Sequence, residues 1–251
     1  MKNIIIILFT LLIVTSCKDD DDVKVGSVNL SFNNKIENTS IVMNTASYTN
    51  KSNEIYTISE LKYIISNIVL IKANGEEFKY PTEKSYFLIN EKVAESKTIE
   101  LSAISEGEYT KVRFGIGVDQ SKYPLDGINN FIPTAQENEM LWSWSAGYIF
   151  LKFEGSYSVG RQNNSDFKMH IGSHGTKLDN YKEVTLDLPN TLTIKENATS
   201  KVVINADVAK IFDSVNTHSL SIKSDIQVDP ENAPKIAENS ATMFSVASVN
   251  N

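Results

Sequence analysis

Two pairs of side chains in this sequence have types and spacing suited to chemistry. His170 and His174 lie in Phe167-Lys168-Met169-His170-Ile171-Gly172-Ser173-His174-Gly175, and Trp142 and Trp144 lie in Met140-Leu141-Trp142-Ser143-Trp144-Ser145-Ala146-Gly147-Tyr148. A neutral imidazole is a nitrogen ligand that suits copper and zinc alike. Gly172 and Gly175 permit a tight reversal that would bring the two imidazoles together, although the same spacing fits a histidine pair in a surface turn. The third histidine, His218, sits in the polar stretch Asn216-Thr217-His218-Ser219 and offers less. If the segment around Trp142 and Trp144 is a strand, both indoles share one face. Core packing is the ordinary use of tryptophan. Here Ser143 and Ser145 are the neighbours, and a long polar stretch from Asp119 to Glu139 leads in. Those surroundings favour an aromatic platform for a ligand, or a redox-active spot.

Most other chemistry is excluded by inventory. The 251 residues include 3 His and 1 Cys. A lone cysteine rules out an intramolecular disulfide framework and every multi-cysteine zinc or iron–sulfur site. The sequence has no G-x-S-x-G elbow, H-E-x-x-H helix, phosphate-binding loop or dinucleotide fingerprint. Carboxylates are plentiful enough for a paired-acid glycosidase, but nothing singles out two of them. The expectation is therefore a protein that is not an enzyme. Its 24 basic and 31 acidic side chains leave a formal charge of −7. That balance argues against nucleic-acid binding, which needs a basic face to neutralise phosphates.

The elements that must position these residues read as strands. Apolar and polar residues alternate with period two at Val28, Leu30 and Phe32, at Leu61, Tyr63 and Ile65, and at Val112, Phe114, Ile116 and Val118. Ile64 is apolar as well, so its strand should be covered on both faces. Ile149, Leu151 and Phe153 alternate with Phe150, Lys152 and Glu154, and Phe167, Met169 and Ile171 alternate with Lys168 and His170. If the first of each set faces the core, His170 faces the other way. Ile99-Glu100-Leu101, Val184 to Leu188, Val202-Val203-Ile204 and Leu220-Ser221-Ile222 complete the expected strands. Asn74-Gly75, Glu106-Gly107, Asp126-Gly127 and Pro189-Asn190 supply turn chemistry between them. Asp207 to Phe212 has room for a short helical turn. Asp229-Pro230 reads as an N-cap followed by proline at the first position of a short C-terminal helix through Ala233, Ile236 and Ala237. Many short strands without a βαβ rhythm predict an all-β fold, an antiparallel β-sandwich or Greek-key domain with long loops, in one domain over 26–251.

The N-terminus carries an address. Lys2, the apolar run from Ile4 to Val14 and the small residues before Cys17 have the layout of an export signal, too short for a membrane span of roughly 20 residues. Val14-Thr15-Ser16-Cys17 resembles a bacterial lipobox, which implies a signal peptide over 1–16 and lipidation of Cys17. Lys18-Asp19-Asp20-Asp21-Asp22 reads as a solvated tether within 17–25. It also resembles the surface-export signal of Bacteroidota-type lipoproteins. The expectation is an outer-membrane lipoprotein held to the membrane by its lipid and exposed at the cell surface, with the periplasmic face as the alternative.

Larger strings resemble one family. Lys111-Val112-Arg113-Phe114-Gly115-Ile116-Gly117-Val118-Asp119, the run from Met140 through Trp142, Trp144 and Tyr148 to Glu154-Gly155, and Phe167 to Ser173 resemble the MbnP family. Leu61 to Ile68 and Ala233 to Asn239 fit as well, so the resemblance spans about 26–246. The family comprises extracytoplasmic copper-binding proteins associated with methanobactin systems. The resemblance implies a β-rich protein that binds copper, Cu(I) in particular, through histidines and a tryptophan oxidised to kynurenine by a separate di-haem partner of the MauG type, MbnH. Carried over by position, Trp142 or Trp144 is the modified residue and His170 the first ligand, with His174 assisting. The chain departs from the family pattern near its C-terminus, where Asp225 to Pro230 and Ser248-Val249-Asn250-Asn251 stand in place of further histidines. The alternative is a surface-exposed β-sandwich interaction module that keeps the scaffold without the metal.

Overall fold

The structure is a computed structural model, and it describes residues 23–119, 131–142, 147–160, 162–174 and 178–251. The lipobox, Cys17, the acid run, Asp126-Gly127 and Trp144 lie outside the described residues. Fourteen strands and two α-helices account for most of the rest. The strands are β1 (Val25–Ile36), β2 (Thr39–Ser40), β3 (Tyr48–Thr49), β4 (Ile55–Ile71), β5 (Glu77–Lys79), β6 (Tyr86–Asn90) and β7 (Thr98–Ser105). They continue as β8 (Gly107–Ile116), β9 (Ile149–Val159), β10 (Gln162–Gly172), β11 (Lys182–Ile194), β12 (Thr199–Asp207), β13 (Asp225–Ile226) and β14 (Phe244–Asn250). The helices are α1 (Ile132–Glu137) and α2 (Ala233–Ala241).

The strands form two sheets, as an all-β sandwich requires. The smaller runs β14-β12-β1-β2 with β7 also on β1, and the larger runs β11-β8-β4-β9-β10-β13 with β3, β5 and β6 on β4. Alternation decides the inner faces. Val28, Leu30 and Phe32 of the smaller sheet meet Tyr63, Phe114, Phe153, Phe167 and Met169 of the larger in one apolar core. Phe32 makes edge-on contacts with Tyr63, Phe114 and Phe244 at ring-centroid distances of 6.3, 6.0 and 6.2 Å, the arrangement aromatic rings prefer. The sheets are mixed where the sequence reading expected antiparallel pairing: β1 runs parallel to β12, and β10 parallel to β13. Period-two patterns fix which face is buried but carry no sign of strand direction.

Strand β4 organises the larger sheet. Its first half pairs with β9 over Ile55–Tyr63 and its second half with β8 over Ile65–Ile71. Lys62 pairs with both Lys152 of β9 and Asn90 of β6, while Ile65 pairs with both Ile116 of β8 and Phe87 of β6. Each residue has only two ladder edges, so β8 and β9 share the edge opposite β6 and part company near Ile64. A second apolar cluster occupies that fork: Ile64, Tyr86, Val118, Phe131, Ala135, Met140, Trp142, Tyr148, Ile149 and Phe150. Ile64 is fully buried on this side while Tyr63 and Ile65 are buried on the other, as its apolar character predicted. Gly117, with φ +99°, lets the chain leave β8 beneath the ring of Phe150, which a side chain at 117 would strike.

Three local readings change. Leu220-Ser221-Ile222 is a turn, because the Glu54 carboxylate accepts the N–H groups of Leu220 and Ser221 at 2.7 and 2.8 Å and so withdraws them from any ladder. Pro189-Asn190 lies inside β11, where pairing with β8 breaks between Asp187 and Leu192. A proline has no N–H to contribute there. Asp229 caps a turn through Glu231 N and Asn232 N rather than α2 itself, which begins at Ala233 with Pro234 in its first turn.

Candidate functional site: a histidine–tryptophan cluster beside a carboxylate

His170 stands near the end of β10. Because Phe167, Met169 and Ile171 point into the main core, period two sends His170 to the outer face of the sheet. It is nonetheless 8% exposed, because the segment that carries Trp142 folds over it. That segment is pinned by Trp142 N to Gly147 O at 3.0 Å, Ile149 N to Met140 O at 2.8 Å and a bridge between Leu141 and Tyr148. Met140 and Trp142 thereby enter the second apolar cluster. The Trp142 indole lies 5.9 Å from the His170 ring and 5.1 Å from the His174 ring, centroid to centroid.

Gly172 makes this approach feasible. A Cβ at 172 would collide with the Tyr148 carbonyl oxygen and lie 3.1 Å from Trp142 Nε1. His174 follows at the end of the strand, held by its N–H to Leu178 O at 2.9 Å. The structure thus brings three of the sequence's candidates together, Trp142, His170 and His174. Gly175 and Trp144 lie outside the described residues. Trp142 is also a core aromatic, 5% exposed, so packing and site coincide in one residue.

The two imidazoles differ in their partners. His170 Nε2 is 2.5 Å from Glu154 Oε1. The bond to His170 holds the Glu154 carboxyl below the usual carboxylate range, against the opposing effect of burial. His174 Nε2 is buried and has no hydrogen-bond partner among the described residues. Desolvation pushes this imidazole below its ordinary value, so it is neutral at pH 7 and keeps a ligand lone pair. His218 is elsewhere, stacked 6.1 Å from Phe212 with Nε2 2.8 Å from Lys223 O, and belongs to the main core.

Glu154 was not among the residues the sequence singled out, although its signal was present. Lys152-x-Glu154 and Lys168-x-His170 alternate on the same outer face. The ladder aligns Lys62, Lys152 and His170 in one row and Glu60, Glu154 and Lys168 in the next. Opposite charges meet along β4 and with the flanking turns: Lys62 Nζ is 2.6 Å from Glu60, Lys92 after β6 also bonds Glu60, and Lys152 Nζ is 2.9 Å from Glu139 after α1.

As a metal centre, this arrangement offers two imidazoles next to an indole. The orphaned, buried nitrogen of His174 fits a ligand role. Among the described residues no group of three or more His, Cys, Asp or Glu side chains is placed to hold a metal ion. The cluster fits copper only as a sparse nitrogen site to which a further donor must be added.

Fold and site together define a β-sandwich with a histidine–tryptophan cluster set in a fork of its larger sheet. The MbnP family model matches residues 25–232, and the chain belongs to the MbnP family. Its fold is similar to that of MbnP from Methylosinus trichosporium, with a TM-score of 0.55 over 90% of this chain and 99% of that one, at 13% identity. No curated protein matches the chain. The family membership supports a protein that is not an enzyme.

Proposed function

We propose that this protein handles copper outside the cytoplasm, through His170, His174 and an oxidised tryptophan. The observation that carries the reading is the convergence of both imidazoles on Trp142, one of them with a buried nitrogen that no described residue satisfies. Neutral imidazoles are good copper ligands, and Cu(II) stands highest among divalent first-row ions in affinity for such nitrogen sites. Kynurenine would add an aniline nitrogen and a ketone oxygen where the indole has neither. Oxidation of Trp142 or Trp144 would thus supply the donor that the two histidines lack, and a di-haem MauG-type partner of the MbnH kind is the proposed oxidant.

Co-production with that partner in copper-supplemented medium tests the reading. Peptide mapping should find an oxidised tryptophan within Trp142–Tyr148, and the purified protein should retain copper. Unmodified tryptophans together with no copper uptake contradict it.

We place the protein at the outer membrane, anchored by a lipid on Cys17 and displayed on the cell surface. Radiolabelled palmitate should enter the wild-type protein and not Cys17→Ala. Equal labelling of both removes the anchor from the account.

The second reading is a β-sandwich interaction module that keeps the scaffold without the metal. Ligand binding that survives chelators and is abolished by Trp142→Ala would select it.

A further inference from the structure

We propose that Glu154 is a positioning residue that fixes His170 as its Nε2–H form, so that Nδ1 is the nitrogen this ring offers to a metal. His170 Nε2 and Glu154 Oε1 are 2.5 Å apart. A carboxylate accepts hydrogen bonds and donates none, so in a neutral imidazole facing it the proton sits on Nε2 and the lone pair on Nδ1.

The surroundings hold the carboxylate to this task. Glu154 is flanked in the ladder by Lys168 of β10 and Glu60 of β4. Glu60 is already bonded to Lys62 and Lys92. Lys152 lies 4.0 Å from Glu154 Oε1 but makes its short contact, 2.9 Å, with Glu139. The imidazole, 8% exposed, is therefore the close partner of Glu154. His174 shows the contrast, since no carboxylate among the described residues meets its Nε2. Partners of this kind, behind a ligating histidine, orient the ring and choose its nitrogen in metal sites generally.

The consequence for copper rests on the copper reading given above, whereas the tautomer itself stands on the geometry of the protein alone. Long-range proton–nitrogen correlation spectra of the metal-free protein, at a pH where the ring is neutral, separate the two. The expected spectrum of wild type shows His170 with a protonated Nε2 and a bare Nδ1. Glu154→Gln, which keeps an acceptor oxygen, should retain that form, and Glu154→Leu should give a mixture. An Nδ1–H form in wild type overturns the proposal even if Glu154→Leu fails to fold, and so does an unchanged tautomer in a folded Glu154→Leu.

Cu(I) added to wild type should then shift the Nδ1 resonance, and Glu154→Leu should bind it roughly 10–100-fold more weakly, with Glu154→Gln losing less. A shift confined to Nε2 overturns the proposal. An expected tautomer with no copper-induced shift at either nitrogen supports the positioning role and contradicts the copper reading.

Discussion

Glu54 and the Nε2 atom of His174 show how differently a buried polar group can be treated inside this protein. Glu54 is 1% exposed and fully satisfied, by Asn50 Nδ2, Ser219 Oγ and the N–H groups of Leu220 and Ser221, at 2.7 to 2.8 Å. The buried Nε2 of His174 has no hydrogen bond among the described residues. The first pattern is that of a structural clasp and the second that of a group awaiting a ligand. Burial alone would raise the Glu54 carboxyl, but the bonds from Asn50, Ser221 and Leu220 outweigh it and bring it from 4.5 down to about 2. A depressed carboxyl stabilises the folded state above its unfolded value and loses that contribution as pH falls towards the folded one. Denaturant melts of wild type should therefore lose stability between about pH 4.5 and pH 2. Glu54→Gln should lack this component and already be weaker at pH 7, by about 2–3 kcal/mol. Superimposable acid profiles would show that Glu54 is no clasp. Nothing in the sequence distinguished Glu54 from other acids, because three of its four donors are 165 to 167 positions away. His170 was easier: its place beside Phe167, Met169 and Ile171 set its face, and Lys152-x-Glu154 carried the matching alternation.

At the scale of elements, the site depends on how closely β10 and the Trp142 segment can approach. Gly172 is the spacer, and a methyl group there meets the Tyr148 carbonyl and the Trp142 indole nitrogen together. Gly172→Ala should destabilise the protein by about 1–3 kcal/mol, the range for overpacking a tight interior. It should also move the indole, read as a change in near-ultraviolet circular dichroism in the folded protein. An unchanged spectrum and melting temperature would mean that the approach is looser than the geometry indicates. Strand faces were legible because period-two alternation survives wherever one face is buried, as in β1 and β9. Strand ends were less so. The turn at Leu220 arises from the Glu54 carboxylate, in the distant connection before β4, and β11 continues past Pro189 by skipping pairs. Neither effect leaves a local mark.

At the scale of the molecule, the single cysteine had already removed disulfides and multi-cysteine metal sites from the chemistry. The sandwich class followed from many short alternating strands. The parallel pairing of β1 with β12 joins Ser27 to Thr199 across most of the chain and was not legible, nor was the forking of the larger sheet at Ile64. That fork explains why the site lies where it does: where β8 and β9 diverge, the sheet needs a second apolar cluster, and Trp142 supplies part of it while its ring faces two histidines. The central claim is that copper is held by this cluster. Competition with a chromogenic Cu(I) chelator tests it most directly, using protein co-produced with the di-haem partner as wild type, His170→Ala, His174→Ala, the double variant and His218→Ala. The account predicts tight, stoichiometric Cu(I) binding by wild type and His218→Ala, a loss of roughly tenfold or more in each single variant at the site, and none left in the double variant. Undiminished Cu(I) affinity in the folded His170→Ala/His174→Ala protein would contradict it.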